Sequence, residues 1–262
     1  GDVVIPSTLG GYPVISIESG SFYGCTGITS IVVPDSVQTI CDYGFGYCES
    51  LESITLGNGV TTIGITAFSE CTSLRSITIP AKVTSIGFAA FQECISLEKI
   101  IVDPENPLFS SDENGVLFNK DKTVLVAYPV GKKDTVYKVP EGTKAVGYLA
   151  FYDCDNLISV EFPDSLTTLS YNCFRYCSAL EEVVFGSGIR SICEAAFEYC
   201  ESLAKIELPD GITYIGNSAF SGTAFEDDDS NWENGALYIG DYLIDTKSNS
   251  ESVTVKDGTK LI

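Results

Sequence analysis

The sequence predicts a repeat solenoid, in which similar turns stack and their strands form a parallel ladder. Eight phenylalanines recur every 23 residues in two groups of four, and a cysteine follows seven of them by three residues. A period of this length is typical of stacked repeats. The phenylalanines are Phe22, Phe45, Phe68, Phe91, Phe151, Phe174, Phe197 and Phe220; the cysteines are Cys25, Cys48, Cys71, Cys94, Cys154, Cys177 and Cys200, with Thr223 in the eighth place.

One repeat, residues 67–87, indicates what each position does. In AFSECTSLRSITIPAKVTSIG, two isoleucines flank Thr78 with the alternation of a half-buried strand, and residues 83–86 predict a second short strand. Pro80 separates the two strands, and other repeats place a proline or a glycine-bearing turn at this corner. The residues expected to face inward are Ala67, Phe68, Cys71, Leu74, Ile77, Ile79, Val83 and Ile86.

A single turn of this kind is not expected to be stable alone. Ordering its backbone costs about 1 to 2 kcal/mol per residue, whereas burial of each large apolar side chain returns about 1.5 to 3 kcal/mol. Stacking buries both faces of every turn, so stability becomes a sum over neighbouring turns. We therefore expect one elongated, curved solenoid domain over residues 1–262, mainly β, with short turns or helical pieces.

Two interruptions of the period each predict a β-hairpin. Apolar segments 115–118 and 123–128 surround a polar turn, and segments 235–239 and 242–244 surround Gly240-Asp241. The segments that follow correspond as well, since 141–146 parallels 257–262. We expect a regular stack over about 17–102, a hairpin-bearing unit over about 103–146, a second stack over about 147–224, and a truncated second hairpin-bearing unit over about 225–262. The hairpins either adjust curvature and cover the core edge, or carry a partner-binding surface.

The pattern A-F-x-x-C-x-x-L-x-x-I-x-I-P, followed by V-x-x-I-G, resembles the BspA-like leucine-rich repeats of bacterial surface proteins. Residues 66–87 match it nearly letter for letter, and related units run from about residue 17 to residue 262. The resemblance implies a leucine-rich-repeat right-handed superhelix. It also implies a secreted or cell-surface bacterial protein, since some members are adhesins that bind host proteins or other bacteria. The matching positions build the core, so the resemblance specifies fold more closely than function.

The ten cysteines predict buried free thiols rather than a disulfide framework. Seven share one slot of the repeat, and Cys41, Cys173 and Cys193 occupy slots that hold small residues elsewhere. Side chains that point in parallel from neighbouring turns are poorly placed to form disulfides, and a free cysteine packs as a small hydrophobe. The chain has no Cys-x-x-Cys pair and no histidine, so zinc or iron–sulfur binding is not expected.

Composition argues against an enzyme, and we expect no cofactor. Without histidine, the Ser-His-Asp and Cys-His arrangements are impossible within the chain, and no glycine-rich phosphate loop precedes a helix. A carboxylate pair is compatible with the composition, but nothing singles one out. The net charge of −21 disfavours nucleic acid and anionic membranes as partners. There is no apolar segment long enough to cross a bilayer, so direct membrane insertion is not expected.

An acidic segment at residues 226–233 offers a weak candidate site for calcium, which prefers carboxylate and amide oxygens. The spacing and glycine of an EF-hand are missing, so a solvated acidic loop is the preferred interpretation. Trp232, the only tryptophan, is expected to pack on the insert rather than to be an exposed contact residue. The candidate calcium ligands are Asp227, Asp228, Asp229, Asn231 and Glu233.

The strand positions that face outward between the inward isoleucines form the candidate binding face. No cluster of aromatic and arginine anchors is visible in the sequence, so recognition is expected to use a broad surface or avidity. The first stack is expected to present small and apolar groups there, and the second carboxylates. The residues are Val32, Thr55, Thr78 and Ile101 in the first stack, and Glu161, Val184 and Glu207 in the second.

Two functions remain open. The first is a non-catalytic, monomeric module at the bacterial surface that binds host or neighbouring-cell proteins, or glycans. The second is a passive spacer or envelope scaffold without a ligand. The chain begins with glycine and stops before the next phenylalanine of the period, which indicates a fragment of a longer protein. A missing secretion signal therefore says little about the compartment.

Overall fold

The structure, a computed structural model, describes residues 1–247 and 253–260. The chain divides into two compact units, one from Gly1 to Lys133 and one from Asp134 onward. Each unit is a β-solenoid of short parallel strands joined by turns, as the period predicts. The single domain expected over residues 1–262 stays a prediction. The sequence analysis matched residues 141–146 with residues 257–262, and residues 261 and 262 of the second segment lie outside the described residues.

The regular elements of unit 1 are short strands, which turns connect. They are β1 (Asp2–Val4), β2 (Thr8–Leu9), β3 (Tyr12–Pro13), β4 (Ser16–Ile17), β5 (Ser30–Val32), β6 (Thr39–Ile40), β7 (Ser53–Thr55), β8 (Thr62–Ile63), β9 (Ser76–Ile79), β10 (Ser85–Ile86), β11 (Lys99–Val102), β12 (Phe109–Ser111), β13 (Leu117–Asn119) and β14 (Val124–Ala127).

Parallel pairing in unit 1 follows two ladders. In the first, Val3 of β1 lies opposite Ile31 of β5, which lies opposite Ile54 of β7. Strands β9 and β11 pair in the same register, with Ile77 opposite Ile100. In the second ladder, β4, β6, β8 and β10 align Ile17, Ile40, Ile63 and Ile86. Equivalent slots of successive turns therefore lie side by side, which is the arrangement that the 23-residue period predicts.

The recurring phenylalanines form a stacked interior column in each unit. In unit 1, the ring centroids from Phe22 to Phe45, Phe68 and Phe91 are 5.2, 5.5 and 5.9 Å apart in succession. In unit 2, the corresponding distances from Phe151 to Phe174, Phe197 and Phe220 are 4.3, 5.2 and 5.4 Å. All of these rings are buried except that of Phe22, which is half-buried. The core positions predicted from the sequence are thus confirmed.

The turn around each phenylalanine contains two residues in the left-handed backbone region, two positions before and two positions after the ring. Around Phe45 these are Tyr43 (φ 55°) and Tyr47 (φ 59°). A residue with a Cβ loses about 1 to 2 kcal/mol in this conformation. Backbone hydrogen bonds to the following turn offset the cost, since the N–H groups of Phe45 and Tyr47 donate to Ala67 and Ser69 over 2.8 Å each. The turn side of the solenoid is therefore hydrogen-bonded from turn to turn, like the strand sides.

The first predicted hairpin is confirmed, with one more strand than expected. Strand β13 pairs antiparallel with β14, and β12 pairs antiparallel with β13. The buried side chain of Asn106 holds the start of this insertion. Its Nδ2 donates to the carbonyls of Pro80 and Val83 over 3.0 and 2.9 Å, while its Oδ1 accepts from the N–H groups of Leu108 and Phe109.

Unit 2 repeats the two-ladder plan. Its elements are β15 (Val136–Lys138), β16 (Ala145–Val146), β17 (Ser159–Glu161), β18 (Thr168–Leu169), β19 (Glu182–Val184), β20 (Ser191–Ile192), β21 (Tyr214–Ile215), α1 (Ala224–Asp227), a 3-10 turn (Asp229–Asn231), β22 (Trp232–Glu233), β23 (Ala236–Ile239) and β24 (Tyr242–Thr246). Strands β15, β17 and β19 form one parallel ladder, and β16, β18, β20 and β21 follow one another in the second.

The regular turns of unit 2 end at a helix cap. Thr223, which takes the eighth cysteine slot, is the N-cap of α1, and its Oγ1 accepts from the N–H of Glu226 over 3.2 Å. The Glu226 carboxylate accepts in return from the N–H of Gly222, the residue before the N-cap, over 2.6 Å, an arrangement close to a capping box. A hydroxyl rather than a thiol therefore suits this slot. The second predicted hairpin follows, and the antiparallel pairing of β23 with β24 confirms it.

Among the described residues, no helix has both the length and the apolar character needed to cross a membrane.

Candidate interaction surfaces

The cysteine column is interior and reduced. All ten cysteines are free thiols, and six of the seven in the repeated slot are buried, Cys25 of the first turn being half-buried. Five of these six buried thiols, all but Cys154, donate to a phenylalanine carbonyl 26 residues earlier, as Cys71 does to Phe45 over 3.2 Å and Cys177 to Phe151 over 2.9 Å. Burial raises the pKa of Cys48 to about 11 and that of Cys94 to about 12. Cys48 and Cys94 therefore stay protonated at neutral pH, which is unsuited to nucleophilic or metal chemistry.

The structure places the outward column of unit 1 on the first ladder, as expected. Val32 lies in register with Thr55, and Thr78 lies in register with Ile101. All four side chains are exposed, with 41% of Val32 and 46% of Ile101 accessible to solvent. The column therefore presents small and apolar groups, spaced by the strand separation of about 4.8 Å.

The outward column of unit 2 carries mixed charge rather than carboxylates alone. Glu161 lies in register with Val184 and pairs with Lys138, whose Nζ is 2.6 Å from Oε1. Glu207 pairs with Lys205 over 2.7 Å. The expectation of a carboxylate surface is thus corrected, because each glutamate has a lysine partner on the same face. Glu207 is exposed but lies outside the assigned strands, although the buried Ile206 beside it keeps the alternation.

The turn side of unit 2 holds a cluster that the sequence analysis missed. The guanidinium carbon of Arg175 lies 4.8 Å from the ring centroid of Tyr176 and 5.8 Å from that of Tyr199. The two tyrosine rings stack at 5.1 Å, and Arg175 Nε is 2.7 Å from a carboxylate oxygen of Glu198. The expectation that no aromatic and arginine cluster exists is therefore wrong.

A second aromatic cluster lies on the turn side of unit 1. The Tyr23 ring is 6.1 Å from the Tyr43 ring and 5.0 Å from the Tyr47 ring. Both clusters occupy positions near the repeating phenylalanine that vary from turn to turn. The signal in the sequence was the recurrence of tyrosine two residues after Phe45, Phe174 and Phe197. In unit 2 that spacing becomes a cluster because Tyr176 and Tyr199 occupy the same slot of adjacent turns, whereas Tyr23 and Tyr43 of unit 1 occupy other slots.

The acidic segment does not converge on one point. Asp228 Oδ1 accepts from the N–H of Ser230, Asp229 pairs with Lys247 over 2.9 Å, and Glu233 pairs with Lys256 over 2.5 Å. In the part of the chain that the structure describes, no group of three or more acidic or cysteine side chains is placed to hold a metal ion. The half-buried Trp232 donates from Nε1 to the carbonyl of Glu226 over 2.7 Å, so it packs within the insert.

We expect added calcium, or a chelator, to leave the melting temperature of the protein unchanged. Calcium takes about six to eight oxygen ligands, and here Asp229 and Glu233 are already paired with lysines. Differential scanning fluorimetry with calcium and then with EDTA provides the measurement. A shift of several degrees that Asp229→Asn abolishes would show that the segment rearranges into a calcium site.

The chain matches the model of one protein family over residues 3–112 and 133–251, in six copies of the repeat. The description of that family is "BspA type Leucine rich repeat region". The chain belongs to this family. Repeats of this type occur in bacterial surface proteins and generally serve as protein-interaction modules. No curated protein matches the chain significantly.

Two solved structures are similar to this BspA-type chain. One is the pneumococcal vaccine antigen PcpA, at 26% identity and a TM-score of 0.67, with 86% of this chain and 70% of that chain covered. The other is a leucine-rich cell surface protein from Faecalibacterium prausnitzii A2-165, at 27% identity and a TM-score of 0.57, with 84% of this chain and 79% of that chain covered. The leucine-rich-repeat fold expected from the sequence is thus confirmed.

The BspA-type pattern accounts for the core and leaves the surfaces unspecified. Its recurring alanine, phenylalanine, cysteine, leucine and isoleucine positions are the buried ones, as Phe68, Cys71 and Leu74 show. The outward strand columns and the tyrosine clusters lie between those positions. Residues that distinguish this chain in binding are therefore to be sought at the variable slots.

Proposed function

We propose that the chain is a non-catalytic protein-interaction module of a bacterial cell surface, which binds a host or neighbouring-cell protein through the outward column of the first ladder. The observation that carries the proposal is the exposed column of Val32, Thr55, Thr78 and Ile101, in which Val32 is in register with Thr55 and Thr78 with Ile101. Exposed apolar side chains on a rigid sheet lose little conformational freedom on binding, and that favours their use as contacts.

A surface location is supported by the description of the similar F. prausnitzii structure as a cell surface protein. A non-catalytic role is supported by the chemistry of the chain. It contains no histidine, and its thiols with raised pKa are buried and donate to backbone carbonyls. The outward glutamates of unit 2 are paired with exposed lysines, and such surface pairs contribute little to stability and remain available to a partner.

An array of extracellular host and bacterial proteins, together with glycans, tests the proposal. We expect at least one specific protein partner with micromolar affinity. Thr78→Arg places a long charged side chain in the centre of the column and is expected to weaken that binding at least about tenfold, which corresponds to about 1.4 kcal/mol. Glu161→Arg tests the unit 2 column in the same way, because it also leaves Lys138 facing a like charge.

Thr84→Arg is the matched control, since Thr84 is an exposed threonine just before β10 of the second ladder. Equal losses from Thr78→Arg and Thr84→Arg would reject the strand column as the binding face. If no protein or glycan on the array binds the chain, the result would favour the alternative function, a passive spacer. Binding to glycans alone would change the class of ligand while the same variants still test the face.

A further inference from the structure

Three tyrosines on the turn side of unit 1 form an exposed aromatic patch. Tyr23 contacts both Tyr43 and Tyr47 at the ring distances given above, and 51%, 44% and 36% of these residues, respectively, is accessible to solvent. The Tyr23 ring lies over Gly46, where an added Cβ would be 3.4 Å from Tyr23 Cδ2. With Glu70, which follows Tyr47 by one repeat, these residues define the tyrosine surface.

The tyrosine surface lies in strongly acidic surroundings. The four turn segments of unit 1, residues 18–27, 41–50, 64–73 and 87–96, contain no lysine and no arginine. Their acidic residues are Glu18, Asp42, Glu49, Glu70 and Glu93. Glu70 is close enough to Tyr47 that its negative charge raises the pKa of the phenol. A negative field beside exposed aromatic rings attracts cations that can lie over a ring face.

Unit 2 contains a related combination of tyrosine and glutamate, with a cation of the chain already between them. There, Arg175 lies over Tyr176 and pairs with Glu198, and both residues belong to slots that follow the repeating phenylalanine. Tyr176 stands two residues after Phe174, as Tyr47 stands two residues after Phe45. Unit 2 therefore displays a guanidinium group held by a tyrosine of one turn and a glutamate of the next, although Glu198 directly follows its phenylalanine and Glu70 stands two residues after Phe68.

The place that Arg175 takes in the turn of Phe174 carries no long side chain in the turns of Phe45 and Phe68 of unit 1. Arg175 directly follows its phenylalanine, and the residues that directly follow Phe45 and Phe68 are Gly46 and Ser69. Both are buried. Neither residue therefore supplies a cation beside Tyr47 and Glu70, as Arg175 does beside Tyr176.

We propose that the tyrosine surface is a second interaction site, which binds an arginine-bearing segment of a partner protein. One guanidinium group lies over the Tyr47 ring, in the space bordered by Tyr23, and pairs with the Glu70 carboxylate. Arginine is favoured over lysine, because its planar, weakly hydrated cation stacks on aromatic rings and forms directional pairs with carboxylates. This site is separate from the strand column of the proposed function, since it lies on the turn side of the repeat.

Binding of a short peptide that alternates glycine and arginine, with both ends blocked, tests the proposal on the full chain by isothermal titration calorimetry at physiological ionic strength. Tyr47→Leu removes the ring without changing the charge and is expected to weaken binding about fivefold, within the range for an exposed cation–π contact. Glu70→Gln is expected to cause a similar loss. The corresponding lysine peptide is expected to bind less tightly.

The controls repeat the same chemistry elsewhere on the chain. Tyr171→Leu removes a tyrosine ring that is 49% exposed in unit 2, and Glu181→Gln removes an exposed carboxylate. Both are expected to leave peptide binding unchanged, as is Thr78→Arg in the strand column. If Tyr47→Leu binds the peptide as tightly as the unmodified chain, or Glu181→Gln costs as much as Glu70→Gln, the attraction is general electrostatics and the proposal is overturned. Circular dichroism and the melting temperature of each variant separate lost binding from lost folding.

Discussion

Replacing Phe174 with alanine is expected to lower the free energy of unfolding by about 3 to 5 kcal/mol, as for other buried phenylalanines. The ring is fully buried and stacks between Phe151 at 4.3 Å and Phe197 at 5.2 Å, with an edge contact to Phe162 at 5.7 Å. Alanine leaves a cavity in the centre of the column and removes the favourable ring contacts on both sides. Since each turn is stabilised by its neighbours, the loss extends to the turns above and below.

Urea denaturation followed by far-ultraviolet circular dichroism measures this effect. Tyr171→Ala provides the control, because it removes a ring of similar size from a position three residues earlier that is 49% exposed. The control is expected to change the free energy of unfolding by no more than about 0.5 kcal/mol, as is usual for surface sites. Comparable losses from both variants would mean that the phenylalanine column is not what holds the turns together.

The core of this fold was predictable because every turn places apolar residues at the same positions of the repeat. Ile77 and Ile79 alternate with Thr78, and the same alternation returns 23 residues later, so one strand pattern is confirmed by its copies. The strand register was predictable as well, since parallel pairing of turns of equal length aligns Ile77 with Ile100. Both hairpins were visible because they interrupt the period with alternating apolar segments around polar turns.

Other features of the fold left no readable trace in the sequence. The left-handed residues on the turn side include tyrosine, glutamate and alanine, as at Tyr47, Glu70 and Ala89. Glycine and asparagine are the usual signals for this conformation, and they occupy only some of these positions, such as Gly20, Gly24 and Asn172. At the other positions, only the inter-turn hydrogen bonds of the folded chain make the conformation evident. The third strand β12 was missed because Phe109–Ser111 is too short and too polar to show an alternation of its own.

The surfaces were harder to predict than the core. The outward column was identified correctly as exposed, because alternation along a strand fixes the direction of each side chain. The ion pairs of Glu161 and Glu207 were not foreseen, since they depend on lysines in adjacent positions of the ladder or the chain. The tyrosine clusters depend on the backbone path of an irregular turn. The sequence period shows where that turn lies, but it does not predict the backbone conformation there.

Replacing Gly59 with alanine is expected to destabilise the fold by about 2 to 3 kcal/mol, the upper part of the range for an overpacked position. A Cβ on Gly59 would lie 1.9 Å from the carbonyl oxygen of Asp35 in the preceding turn. The Asp35 carboxylate also accepts from the N–H of Asn58 over 2.7 Å, which fixes the two corners against each other. The clash therefore involves backbone on both sides, and no side-chain rotation can relieve it.

The slot itself accepts a side chain, since the preceding and following turns carry Ser36 and Lys82 there. What excludes the Cβ is the tighter corner that the glycine turn forms against a proline turn, and unit 2 repeats it at Gly188, where the distance to the Asp164 oxygen is again 1.9 Å. Gly27→Ala is the control, because its Cβ meets nothing within 4 Å. Thermal unfolding is expected to show lower midpoints for Gly59→Ala and Gly188→Ala, and near-native behaviour for Gly27→Ala. A Gly59→Ala protein as stable as the control would mean that the corner can relax to the form of the proline turns, and that glycine there reflects no steric demand.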